Sequence, residues 1–225
     1  MVIHIDALNL AYMAVPKAAC SSVKATLAAL DPENPMQDPA AFSMDTIHKQ
    51  YRTRRFRIHR WQDYESCFRF TVVRDPLKRL LGVYTNRVVE LRELHTSRNF
   101  RRGHTDLTPD PDPDYFFQNL GAYIKAASTI KHHALPTVLF TGEDFGVYSK
   151  VYRTSDLGDL ATDLSEMAGR DVVIPHGNSS AAPLHLDDLK PKTQKAIADR
   201  LAPEYAHLSQ YFQSPFAAHR KTRAG

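Results

Sequence analysis

Hydrophobic residues near the N-terminus change their spacing at one point, from a continuous run to a helical repeat. Residues 8–15 are mostly apolar and stop at Pro16, a pattern that predicts a short buried strand. Beyond a short loop, apolar residues recur at helical spacing, at Val23, Leu27, Ala28 and Leu30. This spacing predicts a helix that starts near Ser21 or Ser22, either of which is a favourable N-cap, and ends before residue 31. The first predicted unit is therefore a strand, a tight loop and a helix.

A second unit of the same type follows further along the chain. FRFTVV at residues 68–73 predicts a strand, because five of its six residues are β-branched or aromatic. Pro76 is well placed to open a helix. The next apolar residues form one helical stripe: Leu77, Leu80, Leu81, Tyr84, Val88 and Leu91. Repeated alternation of strand and helix is typical of α/β folds built on a parallel sheet with helices on its faces.

The rest of the chain extends this pattern. We predict two further strands, at residues 137–140 and 150–153. We also predict three further helices, at residues 115–127, 157 to about 169 and about 187–212, the last of them broken near Pro203. Residues 92–114 are first basic and then acidic and Pro-rich, which predicts an exposed excursion. Because the chain contains no internal repeat and no low-complexity linker, we predict one domain over residues 1–225.

Composition and charge narrow the class of protein only slightly. The chain has 225 residues, 43% of them hydrophobic, and its formal net charge is +4, which is too small to indicate nucleic-acid binding. Cys20 and Cys67 stand in no CxxC or metal-ligand spacing. No apolar run approaches the ~20 residues of a membrane span, and the N-terminus lacks the basic region of a signal peptide. We therefore expect a soluble, cytoplasmic protein without a transmembrane segment.

The candidate chemistry begins in PKAACSS, the loop at residues 16–22. Successive backbone N–H groups ahead of a helix N-terminus form an anion site, and Lys17 adds a point charge. Small residues at 18–20 let the backbone approach the anion, and the serine hydroxyls add donors. The alternative is an ordinary strand–helix turn with a surface lysine. The Walker A pattern GxxxxGK[ST] is absent, which disfavours an ATPase or a kinase.

VPKAACSS resembles the 5′-phosphosulfate loop of the sulfotransferases that use 3′-phosphoadenosine 5′-phosphosulfate (PAPS). FRFTVVRDPLKRLLGVY resembles the 3′-phosphate element of the same family, and the matching residues are Arg74, Asp75, Pro76, Arg79, Leu80 and Tyr84. An Arg at a strand end can fork onto a phosphate, although Arg74 taken by itself favours pairing with Asp75 or another acid. Gly82 stands where the family has a serine, so one hydroxyl donor is missing.

The resemblance covers most of the chain and is greatest to the carbohydrate sulfotransferases and their soluble bacterial relatives. It implies a three-layer α/β/α sandwich with a P-loop-like parallel sheet. PAPS would be the donor, PAP the product, no metal would be needed, and the acceptor would be a hydroxyl of a saccharide or glycan. The implied cofactor-binding residues are Lys17, Ala18, Ala19, Cys20, Ser21, Ser22, Arg74 and Gly82. Two alternatives stay open: a nucleotide-binding protein of the same fold without turnover, and a nucleotide kinase.

Sulfuryl transfer needs a base that takes the proton of the acceptor hydroxyl. His48 lies between the two motifs, where related sulfotransferases carry a base-like histidine, and it is the first candidate. His59 and His133 are the second and third. Lys17 would stabilise the bridging oxygen as the nucleotide leaves. The basic run at residues 52–60 either contacts an acidic acceptor or is a solvated helix face.

Overall fold

The computed structural model describes residues 2–34, 43–175 and 183–216. Contacts between residues divide the chain into two compact units. The first unit combines residues 1–74 with 137–179, and the second combines residues 75–136 with 180–225. Each unit has a hydrophobic core of its own. The single domain over 1–225 stays a prediction.

A four-stranded mixed sheet lies in the first unit. Its strands are β1 (Ile3–Ile5), β2 (Leu10–Met13), β3 (Phe68–Val73) and β4 (Lys150–Arg153), and they are arranged in the order β1-β2-β3-β4. β2, β3 and β4 are parallel to their neighbours, whereas β1 pairs with β2 in the antiparallel direction. The predicted parallel arrangement therefore holds for three strands, and a short antiparallel strand is added at one edge.

Helices fill most of the remaining described chain. The α-helices are α1 (Cys20–Leu30), α2 (Met44–Gln50), α3 (Ile58–Gln62), α4 (Pro76–Val83), α5 (Glu93–Thr96), α6 (Arg98–Arg101), α7 (Pro113–Gln118), α8 (Leu120–Ala126), α9 (Ser128–Ala134), α10 (Val138–Thr141), α11 (Leu157–Ala168) and α12 (Pro191–His207). A π-helical segment (Tyr84–Glu90) continues α4, and short 3₁₀ turns form at Asp6–Leu8, Phe145–Val147 and Leu186–Asp188.

The strands alternate their side chains between two covered faces of the sheet, as the pleat requires. On one face, Tyr12, Phe70 and Tyr152 pack with apolar residues of α1 and α11. On the other face, Met13 packs in a cluster with Trp61 of α3. The first unit thus has the three layers of an α/β/α sandwich, which confirms the predicted fold class.

In the second unit, α4, α7–α9 and α12 surround one apolar core. A buried ion pair crosses this core: Arg79 Nη2 of α4 donates to Glu204 of α12 at 3.2 Å. The same guanidinium donates to the carbonyl oxygens of His133 and Leu135, at 3.2 and 2.8 Å. Arg79 therefore joins α4 to α12 and to the end of α9.

The strand predicted at residues 137–140 is wrong, because these residues form α10 instead. Their β-branched and aromatic side chains favour a strand, but Phe140 N donates to Thr137 O at 2.8 Å and closes a helical turn. The Leu139 carbonyl accepts from Phe56 N at 2.9 Å, so the turn is also held from outside. Here tertiary contacts outweigh local propensity.

Three predicted helix features also differ from the structure. Ala19, not Ser21 or Ser22, is the N-cap of α1, since the helix begins one residue earlier, at Cys20. Pro203 lies inside α12 without breaking it. Leu91 departs from the apolar stripe and is 52% exposed, because the wider π-helical turn, with Leu91 N bound to Asn86 O, shifts the phase of the residues that follow.

The predicted excursion at residues 92–114 contains two short helices, α5 and α6. Leu94 and Pro111 are buried in it, and the remaining residues are half-buried or exposed. The predicted helix over 115–127 is present as two helices, α7 and α8, that meet at Asn119.

Candidate functional site

The loop between β2 and α1 has an unusual backbone. Lys17 and Ala19 have φ angles of 65° and 55°, in the left-handed region that non-glycine residues rarely occupy. Ala18, between them, is completely buried. Left-handed residues alternating with ordinary ones turn successive backbone N–H groups toward one point, and such a concavity binds anions. The eleven-residue helix α1 follows directly, so its N-terminal N–H groups lie beside the same loop.

Arg74 joins this loop from the neighbouring strand. β2 and β3 are parallel, with Met13 opposite Thr71, so the residues that follow both strands emerge at the same edge of the sheet. Arg74 Nη1 donates to the carbonyl oxygen of Lys17 at 3.1 Å. The two motifs identified in the sequence therefore meet at this edge of the sheet.

Asp75, next to Arg74, has a different role in the structure. Its carboxylate accepts from Lys78 N at 2.9 Å and caps α4. It also accepts from the Tyr205 hydroxyl at 2.9 Å. Asp75 is therefore engaged with the second unit's own helices.

His48 lies against the loop-side end of α1. Its ring is held at both nitrogens: Nε2 is 3.0 Å from Ser21 Oγ, and Nδ1 is 3.2 Å from Lys24 Nζ. Ser21 and Lys24 are three residues apart on α1 and therefore share one face of the helix. His48 therefore lies beside the start of α1, next to the Lys17 loop, and its role as a base stays a prediction.

The position of His48 is fixed by contacts between α2 and the far end of α1. Gln50 Nε2 donates to Asn34 Oδ1 at 3.0 Å, and Asn34 in turn donates to the Ala28 carbonyl at 2.7 Å. The Tyr51 hydroxyl donates to Asp31 at 2.8 Å. These contacts hold α2 against α1 and fix the position of His48 along the α1 axis.

Lys24 was not singled out by the sequence, yet it is the centre of this cluster. Its side chain is 0% exposed, and Nζ also donates to Thr53 Oγ1 at 2.6 Å. Burial lowers the pKa of the Lys24 ammonium from its usual range, and the nearby Cys20 thiol acts in the opposite direction. One signal was present in the sequence: Lys24 is a charged residue inside the apolar repeat of α1.

The other candidate residues lie elsewhere. His59 is an exposed residue of α3 and lines a shallow depression with Phe56, Gly142 and Asp144. His133 belongs to α9 in the second unit, where its carbonyl oxygen accepts from Arg79. Gly82 is a half-buried residue of α4, also in the second unit. Of the three histidines, His48 is the one with hydrogen bonds to α1.

The basic run at residues 52–60 is not a continuous helix. Residues 52–57 are irregular, and α3 begins at Ile58. The arginines at 52, 54, 55, 57 and 60 are all exposed. Their charges therefore face solvent, as expected both for contact with an acidic acceptor and for a solvated surface. The prediction that this surface is a helix face is wrong for residues 52–57.

The described residues also bear on a metal site and on a membrane span. Within residues 2–34, 43–175 and 183–216, no three His, Cys, Asp or Glu side chains come together as metal ligands would. No helix in the same ranges combines the length and the apolar character that a bilayer crossing needs.

Comparison with known proteins gives one finding. The model of the family described as "Sulfotransferase family" matches residues 2–214 of this chain. No curated protein and no solved structure matches it. The match extends over the loop, Arg74, His48 and the helices of the second unit.

Proposed function

The chain belongs to the sulfotransferase family, and on that premise we propose that it transfers a sulfuryl group from PAPS to a hydroxyl of a saccharide or glycan. The observation that supports PAPS as the donor is the contact between the two motifs, through Arg74 Nη1 and the Lys17 carbonyl oxygen. It places a forked cation beside a loop whose backbone is shaped for an anion. A single anion-binding turn would not need the second cation.

The residues of this loop fit the 5′-phosphosulfate. The left-handed residues Lys17 and Ala19 would shape the concavity, and the small residues at 18–20 would let the backbone approach the anion. PAPS would supply the sulfuryl group and a leaving bridging oxygen. Lys17 would stabilise the negative charge that develops on that oxygen, and Ser21 and Ser22 would donate from α1. Arg74 would bind the 3′-phosphate.

His48 is the proposed base. A general base must lie within hydrogen-bond reach of the proton it takes. His48 is already hydrogen-bonded to Ser21, one of the proposed loop donors. An acceptor hydroxyl placed next to the phosphosulfate would therefore approach the same imidazole edge.

The chemical class of the acceptor is inferred from the charge of the surface. The exposed arginines of the 52–60 run favour an acceptor that carries negative charge, such as an acidic saccharide. The proposals of a bacterial source and a cytoplasmic location rest on the resemblance and on composition.

The experiment that tests this function is a calorimetric titration with PAP and with adenosine 5′-phosphate, which lacks the 3′-phosphate. We expect Arg74→Ala to weaken PAP by roughly 10- to 150-fold, the equivalent of the ~1.5–3 kcal/mol of a charge-assisted hydrogen bond, and to leave adenosine 5′-phosphate little changed. Arg170→Ala is the matched control, since Arg170 is exposed and also donates to a carbonyl oxygen, that of Ala29. Equal losses for both nucleotides would remove Arg74 from the 3′-phosphate site.

A radiolabelled PAPS assay with a panel of glycans then identifies the acceptor. Tight binding of ATP instead of PAP would favour the kinase alternative. Binding of PAP without transfer to any hydroxyl acceptor would favour a protein without turnover.

A further inference from the structure

Lys24 is a buried amine without a carboxylate partner among the described residues. Its two hydrogen-bond partners, His48 and Thr53, are both neutral groups in their ordinary forms. An isolated ammonium in a protein interior is costly, and lysine shifts to the neutral amine more readily than arginine does. This site therefore favours loss of the Lys24 proton.

The protonation state of Lys24 determines which nitrogen of His48 carries a proton. An ammonium can only donate, so it requires a lone pair on Nδ1 and places the proton of a neutral imidazole on Nε2. A neutral amine has a lone pair of its own and accepts from Nδ1–H. The imidazole lone pair then lies on Nε2, which points at Ser21.

We propose that Lys24 is a positioning residue for His48. In the active form of the enzyme, Lys24 is a neutral amine that accepts a hydrogen bond from Nδ1–H of His48. The lone pair of the His48 ring then lies on Nε2. This inference rests on the proposed function, because it concerns the same base. It explains why a lysine is buried against the edge of His48 that faces away from Ser21. The arrangement follows the general rule that a catalytic base is oriented by a third group.

The chemical step balances in this form. The acceptor oxygen forms a bond to sulfur, and the bond from sulfur to the bridging oxygen breaks with its electron pair leaving on that oxygen. The hydroxyl proton moves to Nε2 of His48, where the acceptor has replaced Ser21 as hydrogen-bond donor. Nδ1–H of the resulting imidazolium remains bound to the Lys24 amine, which stabilises the new positive charge.

Of the titratable groups on α1, α2 and the segment that follows α1, Cys20 acts electrostatically on Lys24. Asp31 and Tyr51 are hydrogen-bonded to each other. Asp45 and Lys49 form an exposed pair with each other at 2.5 Å. Thr53 is the remaining polar contact of Lys24 and does not titrate. The burial that lowers the pKa of Lys24 acts in the direction the proposal needs.

The direct test is nitrogen NMR of protein labelled at histidine, followed over pH, with His48 assigned by loss of its signals in His48→Gln. In the wild-type protein we expect a change of tautomer as pH rises, from a proton on Nε2 to a proton on Nδ1. Lys24→Met should abolish this change. Lys49→Met is the control, because Lys49 is the next residue after His48 and its side chain is 72% exposed; it should leave the His48 signals unchanged.

Turnover provides the second readout. Wild-type turnover should rise with pH as the pair loses its proton. Loss of the group that orients a catalytic histidine costs about 10⁴-fold where that group is a carboxylate. Because Lys24 acts as a neutral amine, we expect Lys24→Met to lower turnover by roughly 10²-fold. In the pH profile of turnover, the rise on the acid side should move toward the ordinary histidine pKa of ~6.5. Lys24→Arg should not rescue turnover, because guanidinium is always charged and cannot accept.

Two results would overturn the proposal. One is a wild-type His48 that carries its proton on Nε2 at every pH at which the protein is folded and binds PAP. The other is full turnover in a folded Lys24→Arg variant, which would show that a charge, not an acceptor, is required. Failure of the proposed function would appear separately, as equal losses of affinity for PAP and adenosine 5′-phosphate in the Arg74 titrations.

Discussion

The two units of this protein each bury a cationic side chain, and they satisfy it in opposite ways. Arg79 in the second unit is 3% exposed and meets a carboxylate and two carbonyl oxygens. Lys24 in the first unit is 0% exposed and meets an imidazole and a hydroxyl. Burial lowers the pKa of both side chains; the Glu204 carboxylate opposes this at Arg79, whereas at Lys24 the opposing group is the Cys20 thiol.

The contrast distinguishes a cation that stabilises the fold, Arg79, from one that can lose its proton, Lys24. A buried ion pair is expensive to break, because removing one partner leaves the other charge buried and uncompensated. A buried amine hydrogen-bonded to neutral groups loses its proton with much less rearrangement. The Arg79 cluster therefore fixes helices in place, whereas the Lys24 cluster is suited to moving a proton.

The largest effect that the comparison predicts is on turnover in the Lys24 cluster. His48→Ala should lower turnover by roughly 10²–10⁴-fold, the usual contribution of a general base, while PAP affinity stays nearly unchanged. Steady-state kinetics and calorimetry measure the two quantities separately. His59→Ala is the exposed control. If His48→Ala is fully active and His59→Ala or His133→Ala is dead, the base lies at one of those positions instead.

The next effect is on stability in the Arg79 cluster. Glu204→Gln removes the charge that compensates the buried guanidinium and should lower the free energy of unfolding by about 3–5 kcal/mol. Urea unfolding followed by circular dichroism measures the change. Asp199→Asn is the matched control on the same helix, since its pair with Lys195 is exposed and should contribute less than about 1 kcal/mol. Equal losses in the two variants would show that Arg79 is not a structural cation.

A smaller effect on stability is expected for Lys24→Met. No buried carboxylate is left unpaired, so the free energy of unfolding should change by no more than about 1 kcal/mol, the net value of a hydrogen bond. The difference should also depend on pH. Because burial lowers the folded-state pKa of Lys24, the unfolded chain binds more protons there. Wild-type stability therefore rises with pH relative to the variant, between that lowered pKa and the ordinary lysine value of 10.5.

Urea unfolding of both proteins at several pH values measures this difference. Tyrosines whose pKa burial raises, such as Tyr12, affect both proteins alike and cancel. A flat difference between pH 7 and 10 would mean that Lys24 keeps its ordinary pKa.

The smallest effect is on cofactor affinity. Gly82 lies one turn after Arg79 on α4, the helix that the ion pair holds. Gly82→Ser restores the family hydroxyl, worth ~0.5–1.5 kcal/mol, and removes a helix-interior glycine that costs ~0.5–1 kcal/mol. We expect PAP to bind up to about tenfold more tightly by calorimetry. Weaker binding would mean that Gly82 does not correspond to the family serine.

The sequence predicted those parts of the fold that local pattern determines. FRFTVV became β3 at its predicted limits, and Pro76 opens α4, because propensity, burial and capping agree there. The contact of Arg74 with the Lys17 loop was not predicted; the structure shows it where the parallel strands β2 and β3 end at one edge. What failed depended on distant contacts: α10 is held partly by Phe56, from a segment about 80 residues earlier.

The cluster at Lys24 was out of reach for the same reason. Nothing local shows that a lysine in an apolar repeat is completely buried, since lysine side chains usually reach solvent. Burial results from α2, which covers Lys24 with His48, and the docking of α2 depends on Asn34 and Tyr51. The sequence could place His48 between the motifs, but not against a second titratable group.

The left-handed backbone at Ala19 limits which substitutions this position can accept during evolution. A φ of 55° admits glycine and asparagine as well as alanine, but a β-branched side chain would clash with its own backbone. Glycine would relieve strain of about 1–2 kcal/mol and lose part of that gain to its greater freedom in the unfolded chain. Mutations to valine or isoleucine, one or two nucleotide changes away, would be removed by selection even if no ligand ever touched the side chain. Variation at this position is therefore filtered by backbone geometry before function is tested.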